Sequence, residues 1–243
     1  MKFLLRIMLI TGLLSICLPT QANEYCDSLF EIAKASKFND LFIGQNDILN
    51  SQKGCGQTCA ANFAHLVDEK FQKLEGIDSI KTANSIESFI AQTGADTSRG
   101  LTPEQLAKGI EGYLETSKYR FETSVKDVTS SFDEITPSTL INSVTEDEVK
   151  GSIIVITSMK DGDVLSNHAT LLVSHNPANK TILIHDPNFK YQFFTLSYIP
   201  VEVDINGNPK KTLFLFDHNE SRTLKSDVKL ATSVINISAI LKP

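Results

Sequence analysis

A single change in hydrophobic period constrains this chain more than any other feature. Up to about residue 150 the apolar residues recur at helical spacing, and from Ser152 onward they alternate or run together as strand residues do. Cys59, Phe63, Leu66 or Val67, Phe71 and Leu74 fall on one helical stripe. Ile80, Ala83, Ile86, Phe89 and Ile90 fall on a second, closed by Gly94. A third helix is announced by Thr102-Pro103-Glu104-Gln105, with threonine as N-cap, proline in the first helical position and glutamine placed to complete a capping box; Leu106, Ile110, Tyr113 and Leu114 then face inward. Thr145-Glu146-Asp147-Glu148 repeats the capping pattern and predicts a short helical turn.

The second half reads as strands at Ile153–Ile156, Ala169–Val173, Thr181–Ile184 and Gln192–Leu196, with a turn at Asn176-Pro177-Ala178-Asn179. Asn206-Gly207 between Val201-Glu202-Val203 and Leu213–Phe216 is the strongest short hairpin signal in the chain. A last strand is expected between Val228 and Leu241. The expectation is an α+β domain in which N-terminal helices pack face to face on a C-terminal antiparallel sheet. No repeat, low-complexity tract or linker divides residues 23–243, so one domain is expected there.

Residues 1–22 read as a cleavable secretory leader. Lys2 and Arg6 precede and enter an apolar run from Phe3 to Leu18, and Pro19-Thr20-Gln21-Ala22 sets small residues for a cut after Ala22. The run is shorter than the ~20 residues a bilayer core demands, so export to the periplasm or medium is expected, without stable membrane insertion after the leader is removed. Losing Lys2 and Arg6 takes the formal charge from −6 to −8. That acidity, with no Lys/Arg cluster longer than Lys210-Lys211, excludes nucleic acid as a partner.

Export would leave Cys26, Cys55 and Cys59, an odd number for an oxidising compartment. Gly54-Cys55-Gly56-Gln57-Thr58-Cys59 sits where a loop becomes the first long helix. The unsatisfied amides and positive dipole of a helix start stabilise a thiolate there, and the flanking glycines leave the sulfur accessible. Cys55 is thus the candidate nucleophile. Cys59, one turn further in on the apolar stripe, is a core residue or a disulfide partner of Cys26.

A thiol nucleophile needs a base and a group to orient it. Asn167-His168-Ala169 opens one predicted strand, and Ile184-His185-Asp186-Pro187 closes the next. Antiparallel pairing across the turn at 176–179 brings His168 level with Asp186. His65 reads as a solvent-edge residue of its helix. His175 and His185 read as surface residues, with alternation turning His185 to the face opposite Asp186. Cys55, Cys59 and His65 have spacing too weak for zinc, so no metal or other cofactor is expected.

Cys-Gly-x-Thr-x-Ala opening a helix, a later histidine-led apolar strand, and Asp-Pro after the following strand together resemble the papain-like cysteine peptidases of the bacteriocin-leader (double-glycine) group and their secreted relatives. The likeness spans residues 50–198. It implies a papain-like fold, a peptide or protein substrate, and a triad in the order Cys55, His168, Asp186. It also implies an oxyanion-stabilising glutamine about six residues before the cysteine, where this chain has Leu49; Gln52 and Gln45 are the nearby candidates. Acyl transfer to an amine or alcohol, deamidation, and a non-catalytic binding scaffold are the alternative uses of such a chain.

Overall fold

The computed structural model describes residues 3–4, 28–35, 42–49, 52–98, 100–116, 118–130, 133–160, 163–190, 192–205, 207–217 and 227–243. The expected leader cut after Ala22, Cys17 and Cys26 all lie outside them. A two-residue strand, Phe3–Leu4 (β1), lies beside Asp204 and Ile205. Four helices follow in chain order: Ser28–Ala35 (α1), Cys55–Lys70 (α2), Ser79–Gln92 (α3) and Pro103–Leu114 (α4). The later strands are Tyr119–Asp127 (β2), Ser143–Val144 (β3), Glu148–Lys160 (β4), Asp163–Asn176 (β5), Thr181–His185 (β6), Phe193–Ile205 (β7), Asn208–Asp217 (β8) and Asp227–Leu241 (β9).

The caps are those the local sequence demands. Thr102 and Gln105 exchange side-chain-to-backbone bonds at the start of α4, and Asp78 accepts the amide of Lys81 at the start of α3. Thr145 does not start a helix. Its hydroxyl accepts the Glu148 amide and donates to Asp147, which builds the tight turn of the β3–β4 hairpin, because the pattern that caps a helix also closes a turn. β2 also departs from the helical reading of the first half. Its residues alternate in burial, and all nine pair with β9. The first helix ends at Lys70, with Phe71 of its stripe still buried at the C-cap and Leu74 exposed beyond it, and Ile80 is also exposed.

The main correction concerns the sheet. An open antiparallel sheet with helices on one face, the papain-like arrangement expected above, is not what forms. β9 pairs antiparallel with β4 as well as with β8, so β4 through β9 close into a six-stranded antiparallel barrel. Closure is a long-range pairing: Glu148 meets Ile240 and Lys160 meets Asp227. Local periodicity reports which face of a strand is apolar, and it reads the same whether the sheet is open or closed.

Alternation along the barrel strands sorts two apolar cores. Ile154, Ile156, Leu172, Ile184, Leu213 and Val234 belong to the inner one. On the other face Val149, Ile153, Ala169, Leu171, Ile235 and Ile237 meet Phe63, Leu66 and Ala64 of α2, Ile110 of α4 and Leu29 of α1. Full burial of side chains of this size contributes roughly 1.5–3 kcal/mol each. The approach of α2 to the wall is close. A Cβ added at Gly151 of β4 would lie 2.6 Å from the Phe63 ring, so glycine there sets how deeply the helix carrying Cys55 can seat.

Candidate functional site

Cys55 is the first residue of α2, with Gly54 as its N-cap, and its helix start faces the middle of β5, which begins at Asp163 and not, as the sequence suggested, at His168. The Cys55 Sγ accepts the Ala169 amide at 3.5 Å and is hydrogen-bonded to His168, the residue just before it. His168 Nε2 lies 2.6 Å from Asp186 Oδ1, which leaves Nδ1 as the ring nitrogen facing the sulfur. Asp186 is the first residue beyond β6, whose last residue His185 pairs with Leu171. The seam with β6 ends there, so Asp186 stands just past it, two residues along from the level of His168, and their side chains meet; the structure holds Cys55, His168 and Asp186 in one contiguous series.

Burial opposes charge at all three groups, and their mutual bonds outweigh it. Burial alone would raise the Cys55 thiol, but the bond from His168, the amide of Ala169, the imidazolium charge and the Gly56 amide bring its pKa below the ordinary 9.0. Burial would lower His168. The bonds to Asp186 and Cys55, with both charges, instead raise it to about 9. Asp186, likewise resisted by burial, is held below the usual carboxylate range by His168 and by the Asn188 amide. Both shifts run in the direction of a thiolate–imidazolium pair.

Cys59 lies on the same side of α2 one turn on, fully buried, and its thiol donates to the Ala169 carbonyl oxygen at 3.5 Å. Burial, reinforced by the charges of Cys55 and Asp186, pushes its pKa well above the ordinary value. Cys59 is a free thiol; its expected partner Cys26 lies outside the described residues.

The two glutamines differ. Gln45 is half-buried in a short 3-10 turn, Gln45–Asp47, whose backbone is pinned to the loop after Asp186: the Gln45 amide donates to Pro187 O at 2.8 Å, and Asp47 pairs with Lys190 at 2.9 Å. Its side-chain Oε1 is buried without a partner. Gln52 is exposed. Both line the same cavity of about 1460 Å³ as Cys55, His168 and Asp186. Leu49, at the spacing the resemblance called for, is 91 % exposed and no part of it.

Sequence reasoning missed Asn188. Its backbone amide donates to Asp186 Oδ1 at 2.9 Å, which holds the carboxylate, and its Nδ2 lies 3.3 Å from His168 Nε2. The signal was Asp-Pro-Asn, an Asx turn in which the aspartate accepts the amide two residues on. His185 is a further correction. It is fully buried against Phe42 and Phe193, with Nε2 donating to Lys190 O, and burial lowers its pKa to about 4. His175 is half-buried and bonds Tyr198 through Nε2 at 3.0 Å. His65 bonds Ile77 O and Ser79 within the helical layer.

Among the described residues no group of three or more His, Cys, Asp or Glu is arranged to hold a metal ion, and no helix is long and apolar enough to cross a membrane. Comparison of the chain with protein-family models and with curated proteins found no match.

Proposed function

We propose that this protein is an exported thiol hydrolase that cleaves amide bonds of peptides or proteins through Cys55, His168 and Asp186. The observation that carries the reading is the unbroken series of contacts from the Cys55 sulfur through the His168 ring to the Asp186 carboxylate, delivered by three separate elements. Its residue order is also that of the bacteriocin-leader peptidases the sequence resembles, and the leader-like residues 1–22 support export.

The chemistry runs in two halves. The Cys55 thiolate adds to the carbonyl carbon, forming a C–S bond and placing negative charge on oxygen at the start of α2, where the Cys55 backbone amide and the side-chain amide of Gln45 or Gln52, both lining the cavity, are the candidate donors. His168 passes its proton to the amide nitrogen as the C–N bond breaks, leaving a thioester and a free amine. Neutral His168 then takes a proton from water, whose oxygen attacks the thioester. The acid departs, and Cys55 is again a thiolate beside imidazolium. Asp186 holds the ring throughout.

The test is Cys55-dependent turnover of fluorescein-labelled casein, with mass spectrometry of the products. Free carboxyl termini are expected with the wild type and none with Cys55→Ala. Equal turnover by both proteins would refute the assignment, and an acyl group found on an added amine instead of water would redirect it to acyl transfer.

A further inference from the structure

The barrel seam between β5 and β6 is incomplete. It starts at Leu171 opposite His185 and runs to Asn176 opposite Thr181, while β5 itself begins at Asp163. At Asp186 the chain turns away. Over residues 163–170, β5 is therefore paired on the β4 side alone among the described strands. In an antiparallel ladder successive residues direct N–H and C=O to alternate edges. Ala169 gives its amide to Cys55 Sγ and receives the Cys59 thiol on its carbonyl, so both its groups face away from β4. Asn167, two residues earlier and in the same phase, presents its N–H and C=O to the same open edge. Its side chain is occupied elsewhere, accepting from Thr157 Oγ1 at 2.7 Å. Beyond it the phase breaks at Leu165, the extra residue of a bulge between the pairs Ser158–Ser166 and Met159–Val164.

A second observation lies beside this edge. Among the described residues six large apolar side chains stand exposed, and three of them are Val164 (43 %), Leu165 (56 %) and Phe189 (47 %). Val164 and Phe189 line the cavity that holds Cys55 and His168, and the Phe189 ring packs at 5.5 Å on Phe194 in the same wall. An unpaired strand edge with an apolar flank normally invites another strand. This one ends at the residue whose amide touches the nucleophile, so a strand added here is carried to the sulfur.

We propose that the open edge of β5 is the docking track for an extended peptide, which pairs its main chain with Asn167 and lays a bulky apolar side chain on Phe189 and Val164. At about 3.3 Å per residue the paired position falls about two residues from the bond presented to Cys55. Pairing of this kind requires a peptide main chain and so selects an unfolded segment over a sugar or lipid amide. The proposal rests on the thiol-hydrolase reading and adds the conformation and side-chain type of the substrate.

The experiment uses oxidised insulin B chain. Its principal site of cleavage is mapped by mass spectrometry, and the surrounding segment is remade as a fluorogenic peptide, N-methylated one amide at a time. One amide about two residues from the cut is expected to lose about fivefold to tenfold in kcat/KM, in line with one main-chain hydrogen bond, while its neighbours lose less than about twofold. Phe189→Ser is expected to cost about tenfold on the peptide with its apolar residue and less than about twofold on the alanine version of that peptide. A flat methylation scan, or equal losses on both peptides, overturns the proposal. So does the absence of any Cys55-dependent cleavage of insulin B chain. In that case fast alkylation of Cys55 by iodoacetamide confines the failure to the peptide track, whereas slow alkylation removes the hydrolase reading with it.

Discussion

Asp186→Asn keeps the size of the side chain and a hydrogen-bonding oxygen but removes the charge that holds His168 protonated. The rise of His168 from 6.5 to about 9, achieved against burial, represents roughly 3 kcal/mol of preference for the imidazolium. The bond to Asp186 is the largest of the contributions that raise it, ahead of Cys55. Assigning the carboxylate about half of that preference gives roughly 1.5 kcal/mol, which is about a tenfold change in the population of the ion pair. Two consequences follow for the variant. Alkylation of Cys55 by iodoacetamide at pH 6 should slow about tenfold, because the thiolate exists there only beside an imidazolium. The alkaline limb of amide hydrolysis should move from near pH 9 to near pH 8, because His168 then loses the proton it must give to the leaving amine. The assay is the second-order alkylation rate and kcat/KM across pH 5 to 10 for both proteins, with the alkylated residue located by mass spectrometry. Superimposable profiles would show that Asp186 does not set the charge state of His168 and would refute the reasoning.

In the wild type, Cys55 should alkylate at neutral pH at least tenfold faster than Cys59, whose thiol is buried and raised, and Cys59 should become reactive only on denaturation, as peptide mapping would show. Stability should follow the sign of the His168 shift: a group raised on folding stabilises fully below its ordinary value of 6.5 and loses that contribution as pH rises through about 9, so Tm should fall between pH 7 and 10 more steeply in the wild type than in Asp186→Asn. Gln45→Ala should lower kcat about a hundredfold, with a smaller loss for Gln52→Ala; steady-state kinetics that rank them in the opposite order would move the oxyanion donor to Gln52. Gly151→Ala should destabilise by roughly 1–3 kcal/mol, read by urea unfolding, since the added methyl meets the Phe63 ring under α2.

The local instructions were legible wherever a residue acts through its immediate neighbours. Thr102-Pro103-Glu104-Gln105 specified the start of α4, and Asn206-Gly207 marked a hairpin in which Ile205 pairs with Asn208. Gly54-Cys55-Gly56 put a thiol at a helix start, and the two strands flanking the turn at 177–180 bring His168 and Asp186 within side-chain reach, two residues out of level. What tertiary structure alone decided are the facts that depend on distant residues meeting. Pairing of β9 with β4 closes the barrel, a choice between long-range partners that strand periodicity does not encode. The depth at which α2 seats, set by Gly151 under Phe63, brings the Cys55 sulfur to the Ala169 amide and His168. The same packing buries His185, which strand alternation had turned to the surface. Packing of the loop that pins Gln45 to Pro187 sets Gln45 on the cavity and leaves Leu49, at the spacing the resemblance called for, exposed outside it. Propensity and capping act over a few residues and can be read along the chain, whereas burial, charge coupling and strand closure are properties of neighbours in space.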